Sequence, residues 1–242
     1  MKAAKRAKDA TKAEGPIDGR RRRRLRTEES LLEAVGEILQ EKGVSELGVN
    51  AIAARAGVEK VLVYRYFSGL EGLMEAYAAR SDFWPSVDEL LGGEGRPLLR
   101  EADVAALVAG VLANYATALR RRPVTLDLLA WECSQRNPLT VALERVREER
   151  TKELQRAVAE AGLPANDTLL AMSNLLAASI NYLAVRGREV RVFGGLGIQS
   201  EKDWAAIAQT IDRAIRALVS SKPARGPSAK AESIDGSRRR RP

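Results

Sequence analysis

Histidine is absent from this 242-residue chain, and cysteine occurs once, at Cys133. That excludes an intrachain disulfide, a His–Cys zinc site and a nucleophile–histidine pair. A lone Cys133 is expected to pack as a small buried hydrophobe in a reducing cytoplasm. Aromatic residues make up only 5%. Plentiful Ala and Leu favour helix over sheet. No paired-carboxylate, phosphate-cradling or metal-ligating pattern stands out, so the reading is of a non-enzyme with no cofactor and no metal. The N-terminus has charge but no apolar stretch, which argues against a secretory signal. Thr168 to Val185 carry no charge. Ser173, Asn174, Ser179 and Asn181 interrupt that run, so it is expected to be a buried central helix and not a membrane span.

What the chain does have is unevenly placed charge. The net charge is +8. Residues 1–26 hold 11 Lys/Arg against three acids, and residues 221–242 hold seven against two, so the intervening body is mildly acidic. Basic ends on an acidic body suit a polyanionic partner. Both ends lack a sustained apolar pattern and are expected to be disordered: an arm over 1–26 and a tail over 221–242.

Between them the pattern is helical throughout, and the fold class is all-α with about nine helices. A first helix is expected to open with Thr27 as cap, carry Leu31, Leu32, Val35, Ile38 and Leu39 inward, and stop at Gly43. Val49 to Ala56 and about Glu59 to Phe67 follow, then a helix from Leu70 to Phe83–Trp84 that ends at Pro85. After the break at residues 92–97 come a stripe from Val104 to Leu119, a helix from about Val124 to Ser134, and one from Pro138 to Ala161. The eighth runs from about Asn166 to Arg186. It is apolar nearly all round and is expected to be covered on nearly all sides. A Gly-rich loop precedes the last, Asp203 to Val219. The expected division is 27–75 for a head and 76–220 for a larger domain. No internal repeat is evident.

The informative segment is Ile52-Ala53-x-x-Ala56-Gly57-Val58 followed by Tyr64-x-x-Phe67. Two short helices meet at a turn where Gly57 tolerates positive φ, while small Ala53 permits close approach and Val58 and Val63 pack inward. The corner projects its second helix outward, as a major groove requires. This pattern, with Glu71 and Leu73 after it, resembles the DNA-binding domain of the TetR family of transcriptional regulators. The resemblance covers about residues 27–80. It implies DNA contact by Lys60, Val61, Leu62, Tyr64, Arg65 and Tyr66, with Asn50 on the preceding helix. Tyr64 would reach a phosphate, and Lys60 and Tyr66 the groove. Phe67 reads as core.

Departures from the family pattern remove polar contacts. Leu47-Gly48 stands where the family usually has a Thr-Thr or Ser-Thr pair, Glu59 for Ser, Val61-Leu62 for Gly-Thr, and Leu70 for Lys. Phosphate neutralisation dominates non-specific affinity. The missing cations are therefore expected from Arg20, Arg21, Arg22, Arg23, Arg24 and Arg26, as an arm along the backbone or in a minor groove.

The resemblance further implies a homodimer through the last two helices. Leu175, Leu176, Ile180, Leu183, Trp204, Ile207, Ile211 and Ile215 are the expected interface, since they offer more apolar surface than one small bundle covers. It also implies a small-molecule pocket among the fourth to eighth helices. Tyr77, Trp84, Tyr115, Trp131 and Tyr182 are the expected walls, and Glu132 and Asn181 the polar anchors. The fourth helix would link pocket to head. The expected function is a cytoplasmic, ligand-responsive repressor that binds a pseudo-palindromic duplex as a homodimer. The alternative is a helical dimer whose weakened head binds nucleic acid non-specifically through its basic ends.

Overall fold

The computed structural model describes residues 16–80, 83–100, 103–163 and 167–221, with the side chains of residues 16–18 left out. Residues 1–15 of the expected arm and 222–242 of the expected tail lie outside it. Among the described residues there are ten α-helices and one two-stranded hairpin.

The head comprises α1 (Pro16–Lys42), α2 (Val49–Arg55), α3 (Val61–Phe67) and α4 (Leu70–Ala78). Leu31, Val35, Ile52, Val63 and Leu73 are fully buried and form its core. Gly43 stops α1 with φ 76°, and a 3-10 turn (Val44–Glu46) leads to α2. The body comprises α5 (Val87–Leu90), α6 (Val104–Arg120), α7 (Pro123–Ser134), α8 (Pro138–Glu160), α9 (Asp167–Arg186) and α10 (Glu201–Ser220). Its starts are well capped. Asn137 and Thr140 form a capping box on α8, and Ser200 and Asp203 form another on α10. These boxes satisfy backbone N–H groups that the first turn leaves unpaired.

Several expectations are corrected. Pro16–Arg26 is helical and continuous with α1, because Arg is a good helix former and Arg24 pairs with Glu28 one turn on, at 2.6 Å. Thr27 is thus no cap: its hydroxyl donates back to the Arg23 carbonyl at 3.0 Å. α4 stops at Ala78, short of Phe83–Trp84, and the added α5 brings the helices to ten. Cys133 is exposed. The Gly-rich loop folds into a hairpin, β1 (Val192–Phe193) against antiparallel β2 (Leu196–Gly197), turned by Gly194 and Gly195 at positive φ.

The largest correction concerns the last two helices. Trp204, Ile207, Ile211 and Ile215 lie inside the protomer, where α10 packs on α6. Trp204 Nε1 donates to the Ile198 carbonyl at 2.9 Å, and Arg120 of α6 stacks 5.0 Å over the indole. These residues and buried Ile180 are therefore core, not free interface. α9 is not covered all round: Leu169, Ile180 and Ala184 are buried, while Leu170, Leu175 and Tyr182 are exposed. Among the described residues α9 packs chiefly on α6, α7 and α10, which leaves part of its surface uncovered. α9 is the one described helix long and apolar enough to cross a membrane.

Candidate nucleic-acid interface

The elbow is built as its sequence requires. Gly57 takes φ 66°, and the Val58 N–H donates to the Ala53 carbonyl at 3.0 Å, closing the turn between α2 and α3. Val63 is fully buried and Phe67 packs against the core, so α3 is fixed from behind. Its outer face carries Lys60, Val61, Tyr64 and Arg65, all exposed; Tyr64 is 57% accessible. Leu62 and Tyr66 flank that face half-buried, and Asn50 is exposed on α2. Ser68 (φ 61°) and Gly69 (φ 119°) then reverse the chain into α4.

Charge around the elbow is partly spent inside the protein. Arg55 is held by Glu37 at 3.0 Å and Glu41 at 2.5 Å, which keeps the Glu41 carboxyl below its ordinary value. The basic run sits closer to α3 than a loose arm would. The Arg24 guanidinium lies 5.2 Å from the centre of the Tyr66 ring.

The head is tied to the body through α4. Arg145 of α8 pairs with Glu71, and with Glu75 at 3.5 Å. Arg150 Nη2 donates to the Ala79 carbonyl at 3.2 Å, and Arg80 pairs with Glu29 of α1 at 3.0 Å. These contacts were not foreseen from the sequence, where α8 reads only as a charged, solvated helix. Gly72 was missed too: a Cβ there would sit 1.9 Å from the Phe67 carbonyl oxygen, so glycine lets α4 start hard against α3.

Most of the expected pocket residues meet. Tyr77, Phe83, Trp84 and Tyr115 form a buried chain of rings with centroids 5.3, 6.4 and 6.0 Å apart. The Tyr115 hydroxyl donates to Asn181 Oδ1, and burial pushes its pKa up. Arg147 pairs with Glu132 at 2.5 Å and lies 5.9 Å over the Trp84 ring. Burial raises the Glu132 carboxyl above its ordinary value although Arg147 opposes the shift. Trp131 is half-buried at the margin, its Nε1 donating to Gln135 at 3.2 Å. Tyr182 is not with them. It faces outward on α9, edge-on to Phe193 of β1 at 5.3 Å.

A closed elbow with one helix buried behind and open in front defines a helix-turn-helix protein. Residues 31–77 match the family described as "Bacterial regulatory proteins, tetR family". The match covers the helix-turn-helix segment and α4 as far as Tyr77, so that part of the chain is similar to this family's DNA-binding domain. The chain is similar to an uncharacterized HTH-type transcriptional regulator of Mycobacterium tuberculosis, 29% identical over 109 residues, or 45% of this chain and 50% of the relative. The chain thus spans about half the length of that curated relative. Its fold is that of the fatty acid degradation regulator FadR of Bacillus halodurans (TM-score 0.54, 17% identity, 87% of this chain and 100% of that one). It is also that of Thermus thermophilus FadR, a transcriptional repressor solved with lauroyl-CoA (TM-score 0.51, 19% identity, 83% and 98%).

Proposed function

We propose that this chain is a sequence-specific DNA-binding transcriptional regulator, a ligand-responsive repressor that acts as a homodimer on a pseudo-palindromic operator. The observation that carries the reading is the α3 face. Lys60, Tyr64 and Arg65 stand exposed on a helix anchored from behind by Val63 and Phe67. Such a helix can enter a major groove without rearrangement, with Lys60 donating to base edges and Tyr64 to a phosphate.

Self-association is supported by the uncovered apolar side of α9, which continues through Tyr182 onto exposed Val192, Phe193 and Leu196 of the hairpin. An exposed apolar patch of this kind marks an interface. A small-molecule effector is supported by the ring chain that runs from Tyr77 of α4 to Tyr115 of α6 and by the half-buried Glu132–Arg147 pair between α7 and α8. Thermus thermophilus FadR, whose fold is similar, was solved in complex with lauroyl-CoA, which supports a small-molecule ligand for this chain as well. No enzymatic role is proposed, and the cytoplasm is the expected compartment.

The test is selection of duplexes from a random pool by the full chain, followed by competition. A selected duplex is expected to bind about 10³-fold more tightly than a scrambled duplex of the same composition. Equal binding of the two would reject sequence reading and leave a helical protein that holds nucleic acid through its basic segments alone.

A further inference from the structure

The arginine run is folded, and its orientation is set. Residues 19–26 are all exposed, so no apolar burial holds this stretch of α1 in place; even Leu25 is 54% accessible. It is held as the continuation of α1, whose Leu31 and Val35 are buried, and Arg24 links it to α3. The Arg24 Nε donates to Glu28 Oε1 at 2.6 Å, and the guanidinium stacks 5.2 Å from the centre of the Tyr66 ring on α3. A salt bridge on one side and a ring on the other define a single position for that side chain. The rotation follows from continuity with the anchored part of α1, and the Arg24–Tyr66 contact marks the side of the extension that faces α3.

Helical geometry then sorts the remaining cations. Each residue advances about 100°, so Arg20 and Arg21 fall within about 60° of Arg24, on the arc that borders α3. Arg22, Arg23 and Arg26 lie about 100° or more away from it. A guanidinium matches a phosphate in bidentate fashion and stays charged at all accessible pH values. A pre-ordered helix also loses less freedom on binding than a loose arm would.

We infer that the first turns of α1 are a second DNA-contacting element, phased with the reading helix, in which Arg20 and Arg21 hold phosphates flanking the groove that α3 enters. Arg24 is a positioning residue that acts through Tyr66. This rests on α3 as the reading helix, but it replaces an arm threaded into a minor groove with a rigid helix laid against the backbone.

The experiment uses the full chain with a selected duplex and a scrambled duplex. Affinity is measured across a salt series. Arg20→Gln with Arg21→Gln is expected to reduce the slope of log K against log salt by about two, at roughly 0.9 per phosphate contact. Arg22→Gln with Arg23→Gln, which removes the same charge, is expected to change it by less than half as much. Leu25→Pro keeps every arginine but breaks the helix ahead of Thr27. It is expected to lose about ten-fold in affinity as the pre-ordering is lost. Arg24→Gln, at an exposed position that leaves folding intact, is expected to lose affinity for the selected duplex in the same direction. Equal slopes for the two double variants, or Leu25→Pro binding within two-fold of the parent, would overturn the inference. Failure of the parent chain to prefer the selected duplex would instead overturn sequence reading by α3. The slope comparison on the scrambled duplex would still decide the role of the extension.

Discussion

Two arginines two residues apart on α8 have opposite energetic characters. Arg145 is about half exposed, as are its partners Glu71 and Glu75. Water and salt screen such a pair, so Arg145→Ala should change stability by less than about 1 kcal/mol. Arg147 faces Glu132, whose side chain is only 14% accessible. Arg147→Ala removes the partner of a largely buried carboxylate and should cost about 2 kcal/mol. Thermal or urea unfolding of the two variants side by side checks the contrast, and equal losses would refute it. Glu132 also gives a signed pH effect. Burial raises its pKa in the folded chain above the ordinary 4.5. The folded state therefore holds a proton that the unfolded state releases, and this contribution to stability fades as pH rises from 4.5 through the raised value. Glu132→Gln cannot titrate and should flatten that decline. Urea midpoints from pH 4 to 7 measure it, and an unchanged profile would mean that Glu132 titrates normally.

At the scale of elements, the junction of α3 and α4 is set by a single missing methyl group. Gly72 sits where a Cβ would come within 1.9 Å of the Phe67 carbonyl oxygen. Gly72→Ala must push α4 off α3, at a cost of about 2 kcal/mol for the overpacking. Because α4 is tied to α8 through Arg145, the shift would also move the head against the body. The variant should melt earlier and bind a selected duplex more weakly, and an unchanged melting curve would count against so tight a junction. Such close approaches are hard to read from a sequence, where Gly72 is one glycine among 19. What was legible had a local cause. The elbow follows from Gly57, Ala53 and Val63, and helix ends follow from Gly43, Pro138 and Gly162, because caps and turns are written in adjacent residues. Tyr77, Trp84 and Tyr115, expected together as pocket walls, lie in one chain of rings, whereas Tyr182 lies apart from them. What was not legible depends on distant partners. A stripe such as Trp204–Ile215 shows that a face is buried but not whether α6 or another copy covers it. A run of arginines shows charge but not that Tyr66 receives one of them.

At the scale of the whole molecule, two apolar helix faces of similar composition have different roles. The α10 stripe is closed against α6, and Ile215 is fully buried. Cutting it back leaves a cavity within one protomer, so Ile215→Ala should cost about 3 kcal/mol of folding stability whatever the state of association. The α9 face is open. Leu175 is 64% and Tyr182 49% accessible, and Val192, Phe193 and Leu196 extend the same patch. A charge placed there meets only water in a single chain but would be stripped of water in a dimer, where an unpaired buried charge is strongly unfavourable. Leu175→Glu should therefore leave protomer folding nearly unchanged and shift the chain to monomer in sedimentation velocity runs. It should also weaken binding to a two-half-site duplex far more than to a single half-site, because the dimer gains its second contact at high effective concentration. The hairpin variant Phe193→Glu should act in the same direction if the patch is continuous. A Leu175→Glu chain that still sediments as a dimer would move the interface away from α9.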